Sequence, residues 1–186
     1  MDARTSAARQ VLYTDTRQQR GKHDVKERWW AEHGVPTIRT ALPFGDYARD
    51  GSNVCIDTKQ DVKEVAANVT RQHERFVNEC KRARDAGWRL IILVEEGRYS
   101  ADRGKLASWT NPHCVKCPRK FKQYCNPKAP GKCARHGTRK PVQGPQLLKA
   151  ICTIEGRYGV RFEFCSKSDT ARRVCELLGL EVSELG

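Results

Sequence analysis

Residues 88–94 read Trp-Arg-Leu-Ile-Ile-Leu-Val. The run is too short for a typical helix and lacks the alternation of a strand with one wet face, so it reads as a strand buried on both sides. That dictates the architecture, because a strand covered above and below needs a layer of helices on each face. The flanking sequence supplies them. Apolar residues recur at helical spacing through Val62, Val65, Ala66, Val69, Phe76, Cys80 and Ala83, predicting one long helix over 61–86. His73 lies on that stripe, where a satisfied core histidine is expected. After the run, 145–158 reads as a helix, 160–165 as a strand and 169–178 as a last helix closed by Gly179. Ahead of it, 10–15 reads as a strand ending on Asp15 and 36–42 as another strand. Between them, 24–33 reads as a helix with Val25, Trp29 and Trp30 inward and Gly34 as its stop. The expected fold class is α/β (α+β), three layers with a central mixed sheet flanked by helices. A chain of 186 residues suits one such core rather than two, so 1–186 is read as a single domain.

Upstream of the buried strand stand Gly45-Asp46-Tyr47, an Asp50-Gly51 pair, and Ile56-Asp57-Thr58-Lys59. Asp-Gly between strand formers favours a tight hairpin, which folds Asp46 back towards Asp57. Strand alternation then projects Asp57 and Lys59 together while Val54, Ile56 and Thr58 face a core. Two carboxylates and an ammonium at one place suit a hard cation and an activated water, the makings of a metal-dependent nuclease.

Charge and cysteines single out another segment. The formal net charge is +13, and between Arg98 and Lys140 twelve Lys or Arg stand against one acid, Asp102. Charge so concentrated predicts attraction to a polyanion, nucleic acid above all. Residues 108–140 have little apolar periodicity but hold Cys114-x2-Cys117, Cys125 and Cys133. Four thiolates in that span fit a closed, structural Zn²⁺ site in a segment that has no core of its own. His113 and His136 flank it as alternate ligands. Arg119, Lys120, Lys122, Lys128, Lys132, Arg135, Arg139 and Lys140 are the candidate DNA-gripping residues; Phe121 and Tyr124, interleaved with them, could stack bases or, the reading favoured, form the module's only core. Cys80, Cys152, Cys165 and Cys175 are expected to be buried thiols. No opening segment resembles a secretion signal and no apolar stretch approaches membrane-spanning length, which points to an intracellular protein with no membrane partner.

Taken in order, these elements resemble the XPF-type structure-specific endonucleases of the PD-(D/E)xK, restriction-endonuclease-like group. That family carries Asp-x-Arg-Glu, then Gly-Asp-Tyr, then Glu-Arg-Lys, then an Arg-hydrophobic-x-x-Gln helix, then an apolar strand ending in acids. The counterparts here are Asp15-Thr16-Arg17, Gly45-Asp46-Tyr47, Asp57-Thr58-Lys59, Arg75-Phe76-Val77-Asn78-Glu79, and Leu90 through Glu95-Glu96. The match covers about residues 10–98, and 144–178 resembles the family's closing helix, strand and helix. Gln18 stands for the family's glutamate, Asp57 for its longer acid, Thr58 for its arginine and Glu79 for its glutamine. The cysteine module is an insertion, read as supplying DNA grip.

The resemblance implies hydrolysis of DNA phosphodiester bonds at branched or single-strand/duplex junctions, in repair, recombination or phage DNA processing. Asp46 and Asp57 would hold Mg²⁺ or Mn²⁺, and Lys59 would position the attacking water. Asp15 would assist at the edge, and Arg75 would contact phosphate or brace the acids. A scaffold on a degenerate nuclease fold and a Holliday-junction resolvase are the alternatives. Oligomeric state is left open, a homodimer included, and a compact nuclease of this kind suits a phage or mobile element.

Overall fold

A computed structural model of the chain describes residues 10–18, 21, 24–119, 125–129, 131–133, 135–137 and 139–183. Its centre is one six-stranded mixed sheet. The strands are β1 (Leu12–Asp15), β2 (Thr37–Thr40), β3 (Tyr47–Arg49), β4 (Val54–Lys59), β5 (Arg89–Val94) and β6 (Arg161–Phe164), in the order β2-β1-β3-β4-β5-β6. β3 runs antiparallel to both neighbours, and the other pairs are parallel. The apolar run is β5, with Leu90 to Val94 all buried.

Alternate residues of the central strands feed two cores, as a strand covered on both faces requires. On one face Cys55, Leu90, Ile92 and Val94 pack with α2 (Val62–Asn68), α3 (His73–Asp85) and α5 (Gly144–Tyr158). On the other Leu12, Tyr47, Ile56, Ile91 and Leu93 pack with α1 (Asp24–Glu32) and α6 (Thr170–Leu178). The three-layer expectation holds.

Three details differ from the sequence reading. The long helix is broken at 69–72 into α2 and α3. Polar side chains there bond locally and compete with the helical ladder: Asn68 Nδ2 donates to Gln72 Oε1 at 2.8 Å, and Thr70 Oγ1 to the Ala66 carbonyl at 2.6 Å. His73 therefore opens α3 and is exposed instead of lying in the core. In α1, Trp30 is buried but Val25 is 77% exposed, and the neighbouring Lys26 turns inward. Cys80, Cys165 and Cys175 are buried as expected, whereas Cys152 lies on the exposed side of α5.

Candidate active site

The hairpin forms where the Asp50-Gly51 turn puts it. Gly51 takes φ +66°, Tyr47 pairs with Ile56, and the Asp46 amide donates to the Ile56 carbonyl at 2.6 Å. Gly45 also has φ +66°, and a Cβ on it would stand 2.6 Å from the Ile56 oxygen. Glycine is required there by both conformation and space.

The turn fixes the Asp46 carboxylate. Its Oδ2 accepts the Thr58 amide at 2.8 Å and the Thr58 hydroxyl at 2.5 Å. Asp57 and Lys59, two apart on β4, lie on one face with Lys59 Nζ 2.6 Å from Asp57 Oδ2. Asp57 is only 7% exposed. Burial pushes its carboxyl up to about 7; the Lys59 ammonium opposes the rise, and the charges of Asp46 and Glu79 add to it. Burial alone would lower the Lys59 pKa, but its bond and attraction to Asp57, with Glu64 and Asp46 behind, raise it. The lysine is the firmly charged member of the pair.

Asp46 and Asp57 open on a pocket of about 170 Å³ that Asp15, Arg17, Gln18 and Glu79 also line. Lys59 meets the site through Asp57 and does not itself line the pocket. Asp15 is gripped by Arg17, whose amide donates to Oδ1 at 2.7 Å and whose Nε reaches both carboxylate oxygens at 3.0 and 2.9 Å. Burial favours the neutral Asp15 carboxyl, yet those bonds hold its pKa below the ordinary value. Asp15 thus anchors an Arg17 side chain that stays 68% exposed at the pocket rim. Arg75, by contrast, is exposed, bonds Gln72 Oε1 at 3.1 Å and does not line the pocket.

Glu79, at the position of the family's helix glutamine, lines the pocket although the sequence reading does not single it out as a site residue; Arg17 and Gln18, beside Asp15, line it as well. Glu79 sits beside Phe76 and Cys80 on the buried stripe of α3, so an acid flanking that stripe was the available signal. On the opposite face of the sheet Lys26 and Glu95 form a buried ion pair at 2.5 Å, with Lys26 Nζ 5.8 Å from the centre of the Tyr47 ring. Lysine on a helix face gave no hint of that.

In the cysteine module, α4 (Pro112–Val115) is capped by Asn111, which accepts the His113 amide at 3.0 Å. The Cys117 amide donates to the Cys114 carbonyl at 3.2 Å, the tight turn of a Cys-x2-Cys knuckle. Burial raises the pKa of the Cys114 thiol; a hydrogen bond from Gln143 opposes the rise, and Cys133, Cys117 and Cys125 add to it. Among the described residues, however, no group of three or more His, Cys, Asp or Glu is arranged to hold an ion, at the module or in the acidic pocket. His113, His136, Arg119, Lys128, Lys132, Arg135 and Arg139 are exposed. Lys140 turns inward and donates to the Asn126 and Ala129 carbonyls at 2.8 and 2.7 Å. Lys120, Lys122, Phe121 and Tyr124 lie outside the described residues. No described helix is long and apolar enough to cross a membrane.

Comparison with known proteins agrees with this frame. Residues 14–177 match the family model of the ERCC4 domain. The fold is similar to that of XPF from Aeropyrum pernix, with 18% identity over 91% of this chain and a TM-score of 0.54. It is also similar to the same protein solved in complex with DNA, with 19% identity over 92% of this chain and a TM-score of 0.55. This chain covers 66% and 64% of those two chains, just under two thirds of their length. No curated protein sequence matches it.

Proposed function

The chain belongs to the ERCC4 domain family and has the fold of an XPF-type nuclease domain, and on that premise we propose that it is a divalent-metal-dependent DNA endonuclease. The observation that carries this reading is the meeting of Asp46 and Asp57 on one open pocket, with a charged Lys59 against the second acid. Magnesium is commonly held by one or two carboxylates and keeps several waters, so a pair of acids facing a pocket with room for water is a donor set that fits it. Asp46 and Asp57 would hold Mg²⁺ or Mn²⁺. When bound, such an ion lowers the pKa of a water and offsets charge on the phosphate.

The chain's own groups divide the remaining work. Thr58 holds Asp46 through two hydrogen bonds, so this carboxylate needs no reordering to bind. Lys59 keeps Asp57 oriented and offers an ammonium beside the site, suited to positioning the attacking water. Arg17 presents an exposed guanidinium at the rim, where a scissile phosphate would approach, and Asp15 fixes its direction.

The substrate we propose is branched DNA or a single-strand/duplex junction, in repair, recombination or phage DNA processing. The XPF chain of similar fold was solved with DNA, which supports a nucleic-acid partner for this chain. Zn²⁺ held by Cys114, Cys117, Cys125 and Cys133 would order the module, and the Cys114-x2-Cys117 knuckle turn is what favours it. The deciding experiment is a panel of flap, splayed-arm, four-way, single-stranded and duplex DNA, incubated with and without Mg²⁺. Metal-dependent nicking of the junction substrates is expected, lost in Asp57→Ala and in Lys59→Ala. Full cleavage by either variant would refute the site, and DNA binding without any nicking would favour a scaffold.

A further inference from the structure

We propose that Arg39, on the edge strand β2, staples the loop after β1 and so sets where the rim cation Arg17 meets a DNA phosphate. Arg39 is a positioning residue that acts through Arg17, and the inference rests on the DNA-endonuclease reading above.

Thr37, Ile38 and Arg39 are exposed along the edge of the sheet. A cation on an edge strand ordinarily serves only to discourage pairing with another chain. Arg39 is engaged instead: its Nη2 donates to the Thr16 carbonyl at 2.9 Å and also to the Gln18 carbonyl. Those two residues flank Arg17, so one guanidinium holds the backbone on either side of the rim cation. The register explains the reach. Arg39 lies opposite Thr14 in the parallel β1–β2 pair, and that ladder ends where the Thr16 amide donates to the Thr40 carbonyl at 3.1 Å. Beyond it the amides of Arg17 and Gln18 turn back to Asp15, at 2.7 Å to Oδ1 and 3.2 Å to the carbonyl. The Arg39 side chain takes over where the strand pairing stops.

The inner side of the loop is tied as well. Gln18 Nε2 donates at 3.3 Å to the Asp46 carbonyl, which also accepts the Asp15 amide at 2.9 Å. Residues 16–18 are thus strung between β2 and the hairpin that carries Asp46, with Arg17 in the middle. Asp15 and the Leu42 carbonyl, 2.9 Å from Arg17 Nη2, fix the guanidinium, and Arg39 fixes the backbone that carries it. Arg17 and Gln18 line the acidic pocket, whereas Arg39 does not. A group outside a pocket can still govern it, because misplacing a contact by about 1 Å can cost about a hundredfold.

The test measures affinity of the full chain for a flap DNA in metal-free buffer, where nothing is cut, by fluorescence anisotropy over a salt series. Each duplex phosphate contact contributes about 0.9 to the slope of log affinity against log salt. Arg17→Ala is expected to lower the slope by about that amount and to weaken binding about tenfold, the worth of one charge-assisted contact. Arg39→Ala should reproduce most of both losses, and the double variant should stay within twofold of Arg17→Ala alone. Wild-type binding by either single variant overturns the proposal. So does a further slope loss of about 0.9 in the double variant, which would make Arg39 a phosphate contact in its own right. Circular dichroism checks the fold, and Arg39→Gln, a neutral side chain of shorter reach, takes the place of Arg39→Ala should that variant not fold. Wild-type protein that binds the flap but never nicks it once Mg²⁺ is added refutes the endonuclease reading alone; wild-type protein that binds no DNA overturns both.

Discussion

Asp57 is an acid kept almost out of water, and its behaviour with pH follows from that. The folded carboxyl titrates near 7 and an unfolded one near 4. In metal-free protein the folded state therefore keeps a proton between these values that the unfolded chain has released. Stability is highest below about pH 4 as far as this group is concerned, and falls as pH rises towards 7, by up to about 1.4 kcal/mol per pH unit. Asp57→Asn should flatten that slope, which urea unfolding at several pH values between 4 and 8 would measure. Protons compete with metal for the same oxygens, so cleavage should rise through pH 7 on its acid limb. Gly45→Ala joins a left-handed φ to an overlap with the Ile56 oxygen, and should cost about 3 kcal/mol as read by the thermal midpoint and denaturant curves. Asp46, Asp57 and Lys59 were legible in the sequence because a turn signal and strand alternation are local rules. Glu79 and the grip of Arg17 on Asp15 were not, because they depend on where α3 crosses the sheet and how the loop after β1 closes.

Among the elements, α1 and the α2–α3 break show where local pattern gives way to tertiary packing. Apolar spacing alone turned Val25 inward, whereas the helix buries Lys26 and Trp30, four residues apart, against the sheet. The choice follows from Glu95, 5% exposed at the end of β5, which would be an uncompensated buried charge without Lys26. Lys26→Met should consequently destabilise the fold by about 3–5 kcal/mol, and a second change of Glu95→Gln should recover much of the loss. Thermal unfolding of the single and double variants would check both. β5 is legible in the sequence to within one residue, since an apolar run of that length has few alternatives. The break at 69–72 is not, because Asn68, Thr70 and Gln72 are each acceptable in a helix, and the bonds of Asn68 to Gln72 and of Thr70 to the Ala66 carbonyl appear only in the folded turn.

For the whole molecule, the main question is how the cationic insertion contributes. Its exposed Lys128, Lys132, Arg135 and Arg139 make it a source of cations for phosphate. Replacing residues 112–140 with a short Gly-Ser linker should leave the sheet and its helices folded, because loop closure depends only weakly on length. DNA affinity should drop, and the slope of log affinity against log salt should shrink by about 0.9 for each duplex phosphate that the protein no longer neutralises. Salt titrations by fluorescence anisotropy, with circular dichroism as the folding check, test this; an unchanged slope would remove the insertion from the DNA interface. The cysteines of 108–140 and its lack of periodicity stand out in the sequence, but the close approach of its two ends does not, since nothing in Trp109 or Gly144 announces that they meet. A segment whose two ends already touch can be lost, gained or exchanged without moving the strands and helices around the acids. The junction between Trp109 and Gly144 is thus a socket, and the cysteine module is one cassette among those that such a frame could accept.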